Sequence, residues 1–566
     1  MSHKPIMPGR WRLWLLPVLA VVAVPASFAL LQPATEPGPP AGMVQQDIRL
    51  RLQALAASGQ DASRLVADIY AQREFRPAWS SSANRQALLQ AIEQSEAHGF
   101  DPEDFHLTAI RSLLEQLDRE RGNSGLHAEL DLLLTRALAR LAYQHYFGKV
   151  DPGSLDSAWN FERPLVGSDP AAALGAVLEQ ERLEALLDEV TLDFPTQDRL
   201  VAALARYREI VRQGGWPQVP SGPLLKPGAL DPRVPTLRRR LAATGDLGDP
   251  SGRSSRYDDG LAAAVRRFQR RHGLDDDGVI GPATLAAMNA PVADRIDQLR
   301  VNLERGRWVL RDLPRDFVVV NIAGFDARLV RDGQTAWRTR AIVGRDYRQT
   351  PVFRDAIRYL EFNPTWTVPT TILVNDIVPK VRQDPGYLAR NDFVIYGRDR
   401  RQVNPATVDW VAAAAGRFPY TLVQAPGPRN SLGRVKFMFP NSHAVYLHDT
   451  PARELFDRSE RSFSSGCIRV EHPFELAELL LVDQPGWNRA GIDRVLQQGE
   501  TTVVNLARPI PVLITYGTAW VEPDGEVHFR KDLYGRDARL LEALHREFRP
   551  QPVAASPTHS GRTTCC

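Results

Sequence analysis

Between residues 44 and 225, apolar positions recur three and four apart in "DIRLRLQALA", "SRLVADIYAQ", "RQALLQAIEQSEAHG" and "AELDLLLTRALARLAYQHYFG". That spacing predicts one-sided helices packed into a helical scaffold. Asp101, after Gly99 and before Pro102, stops one helix and starts the next. His98, His106, His127 and His145 show no metal-ligand spacing. The Pro/Gly-rich stretch Val219–Pro235 reads as a linker. A short helical module at 231–290 follows, with helix "GLAAAVRRFQRRHG", turn "LDDDGVIG" and a helix opened by Pro282. From about Ile296 the period changes to two, the signature of strands, with a tight turn at Asp332-Gly333. The stretch 370–420 reads as a polar insert with short helical pieces. "RVKFMFP" and "HAVYLHD" read as strands, "EHPFELAELLLVDQ" as a helix, and "PIPVLITYGTAWVEPDGEVHFR" as a last hairpin turning at Asp524-Gly525.

The expected architecture is α+β and multidomain. A scaffold spans 44–225, the helical module 231–290 and a β-rich domain 296–510 with its insert at 370–420. A C-terminal hairpin and helix occupy 511–548, and a disordered tail 549–566. A chain of 566 residues has room for roughly three to five domains.

Composition adds little until the ends of the chain. Hydrophobic residues make up 43% and charged residues 24%, ordinary values for a folded protein. The net charge of +3, spread evenly, gives no footprint for nucleic acid. At the amino terminus Lys4, Arg10 and Arg12 precede an apolar run from Leu13 to Leu31, and Ser27 and Ala29 have the small side chains of a cleavage site. Residues 1–43 therefore read as a signal peptide or a membrane anchor with a Pro-rich linker.

Export gives the cysteines weight, because exported compartments favour disulfides. Cys565 and Cys566 lie in the polar tail, so Cys467 has no obvious partner in the folded body. It follows Gly466 and lies nineteen residues after His448. A thiol of pKa near 8.5 is a poor nucleophile at neutral pH unless an imidazole takes its proton. His448 is the candidate general base and acid, with His443 and His472 as rivals. The main-chain N–H groups of Gly466 and Cys467 are candidate oxyanion donors. The Arg469 fork matches a substrate carboxylate, although a surface charge explains it equally well. Tyr446 shares a strand face with His448 and either lines a pocket or packs as an ordinary aromatic. A structural cysteine, behaving as a small hydrophobe, remains the alternative.

Family resemblance sharpens this. The 231–290 stretch resembles the peptidoglycan-binding domain through Phe268-Gln269, Gly273-Leu274, Asp277-Gly278-Val279, Gly281 and Thr284-Leu285. The order His448 then Gly466-Cys467-Ile468-Arg469 resembles the active-site motif of the L,D-transpeptidases. "VGRDYRQTPVF", "NPTWTVP", "APGPRNSLGRVKFMFPN", "YLHDTP" and, near the start, "IYAQREFRPAW" resemble its large multidomain periplasmic (YcbB-type) members. Ser465 departs from the histidine usual before Gly-Cys, which favours His448 as the base and leaves open what orients it.

The resemblance implies a capping subdomain at 370–420 and a reaction at Cys467. The thiol would attack the diaminopimelate carbonyl of a donor tetrapeptide stem, and D-alanine would leave. The amine of an acceptor stem would then take the acyl group, giving a 3→3 cross-link. Tyr446, Arg469, Ser465 and Trp366 would bind substrate, and carbapenems would acylate Cys467. The implied partners are peptidoglycan stem peptides and the wall sacculus in a Gram-negative periplasm, with no cofactor, metal or nucleic acid. Two other classes stay open: a non-catalytic wall-binding protein, and a metal-dependent wall peptidase, whose H-x-x-E-H spacing is absent from the sequence.

Overall fold

The computed structural model describes residues 38–57, 64–161, 169–249 and 251–549. Most of the expected leader, and the tail with Cys565 and Cys566, lie outside them. Among the described residues no helix is long and apolar enough to cross a membrane.

The scaffold is helical as its periodicity predicts. Its longest helix, Ser124–Phe147, buries Leu130, Leu134, Leu138 and Leu141 against the surrounding helices. Asn123 starts it by accepting the Leu126 N–H. The break at Asp101 is also as expected: Gly99 has φ +87°, and the Asp101 carboxylate caps the next turn at the Glu103 N–H. The Pro195–Arg212 helix packs against the Val292–Val309 helix and the last hairpin rather than the scaffold core. The β-rich region therefore begins at Phe317, not near Ile296. Residues 292–309 are helical because Leu299 and Leu303 bury one stripe in that cluster.

The small module has three helices, Val234–Ala243, Asp259–Arg271 and Pro282–Asn289. The stretch before it is not a free linker. Val219 and Leu225 are buried in the module core, and Leu225 pairs with Ile280. The motif residues of this module have structural work: Phe268 is core, and the Gln269 amide binds Asp277, Val279 and the Gly278 N–H.

Fifteen strands follow in chain order. The first four are β1 (Phe317–Asn321), β2 (Asp326–Arg331), β3 (Gln334–Gly344) and β4 (Phe353–Phe362). An insert then carries β5 (Trp366–Thr367), β6 (Phe393–Tyr396), β7 (Gln402–Val403) and β8 (Thr421–Gln424). The chain returns with β9 (Val435–Met438), β10 (Leu447–His448), β11 (Ser462–Ser464), β12 (Ile468–Val470) and β13 (Thr502–Thr515). A hairpin of β14 (Ala519–Val521) and β15 (Val527–Phe529) ends the series.

Nine strands form one sheet in the order β11-β3-β12-β10-β9-β4-β13-β1-β2. The β2–β3 turn is the expected one, with φ +47° at Asp332 and +75° at Gly333. The last hairpin is shorter than the sequence implied. Ile510–Ile514 belongs to β13, which pairs with both β1 and β4 inside the sheet. The insert is more than a polar loop with helical pieces. Its four strands form a separate sheet over a core of Leu373, Ile377, Val381, Leu388, Phe393 and Leu422.

Candidate active site

Three short strands set the site. β11 runs parallel to β3 along one edge, with Ser464 opposite Gly344. The chain then crosses the end of β3 and returns as β12 on its other side, with Arg469 opposite Ile342. The crossing needs two glycines. Gly466 has φ +117°, a region that side chains disfavour. A Cβ on Gly344 would sit 2.2 Å from the Arg348 carbonyl oxygen.

β12 also runs parallel to β10, pairing Leu447 with Ile468 and His448 with Arg469. Leu447 and Ile468 point into the core. By alternation, Tyr446, His448, Cys467 and Arg469 share the opposite face. Lys436, opposite His448 on β9, joins them, with its Nζ 4.4 Å from the Tyr446 ring centre.

The Cys467 S–H donates to the Ala444 carbonyl at 3.7 Å, and the N–H and phenol of Tyr446, whose residue lies opposite it across the β10–β12 pair, face the sulfur. Burial pushes the thiol pKa up; the Tyr446 donors and the charges of Lys436 and Arg469 pull it down but do not outweigh burial. The resting group is therefore the thiol.

His448 is buried and lies diagonally across from Cys467, a relation that places Cα atoms about 7–8 Å apart. The two side chains share no hydrogen bond. His448 Nδ1–H donates to the Asp449 main-chain carbonyl at 2.5 Å. This bond leaves the lone pair of the neutral ring on Nε2, the nitrogen a base needs. It also answers what orients the ring: the carbonyl of Asp449, not its carboxylate. That carboxylate is turned away to the Arg434 N–H at 2.9 Å and Arg453 at 2.7 Å. Burial, with help from Arg469, lowers the His448 pKa to about 3.

Arg469 is half-buried beside the thiol. Among the described residues its buried Nε has no hydrogen-bond partner and no carboxylate lies within ion-pair distance, although the charge of Glu454 acts on it from farther off. Burial lowers its pKa, the thiol opposes that shift, and Arg345 adds to it. A planar cation without an ion pair beside the thiol fits an incoming carboxylate.

The remaining expected residues fall differently. The Gly466 N–H is not free to hold an oxyanion, because it donates to Ser464 Oγ at 3.1 Å. Cys467 N–H is the neighbouring donor without a partner. Ser465 is exposed and accepts from Arg348 at 2.8 Å, and Arg348 also pairs with Asp376 of the insert at 2.5 Å. Trp366 lies in β5 and packs on Phe393, half-buried against the insert's own core. Of the rival histidines, His443 is exposed with its ring tilted against Phe353, and His472 lies close to Glu471 and Glu475. Sequence reasoning gave no role to Arg348, Thr350 or Lys436. The first two stand in "VGRDYRQTPVF", where only the resemblance marked them.

Residues 315–504 match the family described as "L,D-transpeptidase catalytic domain", residues 231–288 the family "Putative peptidoglycan binding domain" and residues 64–204 the family "Scaffold domain". A Haemophilus influenzae protein named "Putative L,D-transpeptidase" is 37% identical over 246 residues. The alignment takes in 43% of this chain and 48% of that protein, so it spans about half the length of the relative. Among solved structures, an L,D-transpeptidase of Stackebrandtia nassauensis aligns at 13% identity, over 53% of this chain and 96% of its own, with a TM-score of 0.21. One from Xylanimonas cellulosilytica aligns at 16% identity, over 52% and 99%, with a TM-score of 0.18. Scores this low give no residue correspondence. The family matches, by contrast, cover both the thiol patch and the small module: this multidomain chain carries an L,D-transpeptidase catalytic domain behind a peptidoglycan-binding domain and a scaffold domain.

Proposed function

We propose that the protein is an L,D-transpeptidase of the large multidomain type, which forms 3→3 cross-links in peptidoglycan outside the cytoplasm, in a Gram-negative periplasm. The observation that carries this is the unpaired Arg469 guanidinium beside the only described cysteine, a place for a stem-peptide carboxylate within reach of a nucleophile. Cys467 attacks the donor carbonyl, and its proton passes to His448 Nε2. His448 returns it to the departing D-alanine amine, leaving a thioester. The acceptor amine attacks next, giving its proton to His448 and releasing the thiol.

In the resting arrangement the thiol is turned to the Ala444 carbonyl, so turning the Cys467 side chain to another staggered rotamer is the movement the reaction requires. A carboxylate on Arg469 removes one cause of the low His448 pKa and makes the imidazolium less costly. Carbapenems, as carbonyl electrophiles, acylate the same sulfur. The small module keeps the enzyme on the sacculus.

A second reading, a wall-binding protein with a structural thiol, draws on one observation: the sulfur bonds to the Ala444 carbonyl rather than to His448. Intact-mass spectrometry after mixing with a tetrapeptide donor separates the two. The first expects an acyl adduct that Cys467→Ala abolishes. A wild-type protein that never acquires the adduct ends the enzymatic account.

A further inference from the structure

The turn that carries the nucleophile is held from beneath by a residue outside it. Thr350 is fully buried. Its hydroxyl accepts the Gly344 N–H at 2.9 Å and donates to the Gly466 carbonyl at 2.8 Å. The Thr350 N–H in turn reaches the Tyr534 hydroxyl at 3.3 Å, and that hydroxyl donates to the Gly344 carbonyl at 2.5 Å. Tyr534 lies beyond residue 504, where the matched catalytic domain ends. It is itself fixed, its N–H donating to Tyr516 Oη at 2.9 Å, while the Tyr516 hydroxyl donates to Asp532 at 2.6 Å.

A trans peptide points its C=O and N–H in opposite directions. With the Gly466 carbonyl turned onto Thr350, the N–H of the same peptide, that of Cys467, faces away from Thr350. The amides on either side are taken: Gly466 N–H donates to Ser464 Oγ, and Ile468 N–H to the Tyr446 carbonyl at 3.0 Å. Among the described residues Cys467 N–H has no acceptor, and it stands on the residue whose sulfur would attack.

We infer that Thr350, keyed by Tyr534, is a positioning residue for acyl transfer: it sets the Gly466–Cys467 peptide so that the Cys467 N–H meets the oxyanion. The inference rests on Cys467 being the nucleophile. When the sulfur bonds to a carbonyl carbon, the C=O electron pair moves onto oxygen and that N–H donates to it. The pair then returns as the leaving group departs, and the thiol proton leaves by way of the base. Neither Thr350 nor Tyr534 touches substrate.

Two electrophiles isolate this role. p-Nitrophenyl acetate reacts through an oxyanion; iodoacetamide alkylates sulfur at a saturated carbon and forms none. Both rates are read at Cys467 by mass spectrometry of its peptide in the full-length protein. Thr350→Val should slow acylation about 10–100-fold and leave alkylation within about twofold. Thr350→Ser, which keeps the hydroxyl, should restore acylation. Tyr534→Phe should lower acylation about 3–10-fold, again sparing alkylation, and it carries the test if Thr350→Val does not fold. Parallel loss of both reactions, or acylation unchanged in the variants, overturns the inference. A wild-type Cys467 inert to both reagents overturns it together with the nucleophile.

Discussion

Two arginines are drawn into the protein at opposite kinds of place. At the joint between the small module and the last hairpin, Arg271 is 3% exposed and faces Asp246, which is 2% exposed. Its Nε donates to Asp246 Oδ1 at 2.7 Å, its second fork nitrogen reaches Oδ2, and its third bonds to the Val527 carbonyl. The Arg271 pKa is raised: burial opposes its charge, and the Asp246 carboxylate more than offsets burial. In the thiol patch, Arg469 feels the charge of Glu454 but makes no ion pair among the described residues, and its buried Nε has no acceptor there. Burial of a charge therefore does not mark a functional site. A buried Nε without an acceptor does not mark one either, since Arg73, Arg238, Arg311, Arg331, Arg461 and Arg536 share it. What sets Arg469 apart from them, among the described residues, is that its other nitrogens make no bond, and an unmet donor costs free energy that a ligand can recover.

The largest effect expected from this contrast is at the joint. Asp246→Ala leaves Arg271 charged, buried and unpaired, and should cost about 3–5 kcal/mol. Urea unfolding followed by tryptophan fluorescence measures it. Adding Arg271→Met should recover much of the loss, since replacing both partners with apolar groups is often near neutral. At the thiol patch the signs reverse. Arg469→Met removes a cation that nothing pairs, so stability should hold within about 1 kcal/mol. Acylation by a tetrapeptide donor should fall about 10–100-fold, the worth of charge-assisted hydrogen bonds to one carboxylate. An Arg469→Met protein as active as the parent and several kcal/mol weaker would make the two arginines alike and dissolve the distinction.

Much of this contrast was hidden in the sequence, for a physical reason. Local patterns were legible: the 3.6-residue period of Ser124–Phe147, the Asp332-Gly333 turn, and the spacing of His448 and Cys467. What depends on register was not. Which residue lies against the sulfur is decided by Leu447 pairing with Ile468, and that puts Tyr446 there. The joint was invisible as well, since Arg271 and Val527 lie 256 residues apart. The insert's sheet escaped because β5 and β7 have two residues each, too few to alternate. Helix Val292–Val309 lies where the sequence reads as the start of the β region, because the two-residue period that sets in at Phe317 leaves the helix before it without a sharp boundary. The Arg469 reading stayed even, because spacing cannot say whether a side chain will find a partner.

Histidines test the two regions by pH. His272 at the joint stacks on Phe268, and His448 lies in the thiol patch; burial is the first cause lowering both pKa values. The unfolded chain binds a proton on each near pH 6.5, whereas folded His448 waits until about 3. The unfolded state thus holds more protons below 6.5, and stability falls as pH falls, by about 1.4 kcal/mol per pH unit for each such histidine. His448→Gln should flatten the slope of unfolding free energy between pH 6.5 and 4.5 by that amount. The thiol gives the opposite limb. Because burial raises its pKa, alkylation of Cys467 should keep climbing with pH through the ordinary thiol range, without levelling near neutrality. A plateau by pH 7 would mean a thiolate already formed at rest.

Arg348 is an intermediate case and sets the smallest effect. It is partly buried and half satisfied, bonding to Ser465 of the thiol turn and to Asp376 of the insert. Asp376 lies in a π-helical turn, Leu373–Ile377, a local irregularity that often accompanies function. The carboxylate is about one-third exposed, so solvent screens the pair, and its loss should cost no more than about 1 kcal/mol. If incomplete bonding is what marks a working cation, Asp376→Asn should change both properties slightly. Stability should drop by a few tenths of a kcal/mol, since the amide still accepts from Arg348. Acylation should change by about two- to fivefold, because Arg348 still holds Ser465 while the neutral amide ties the insert to the turn less firmly. A hundredfold loss of acylation from so exposed a pair would show that the insert's tether, rather than the unpaired Arg469, governs the thiol.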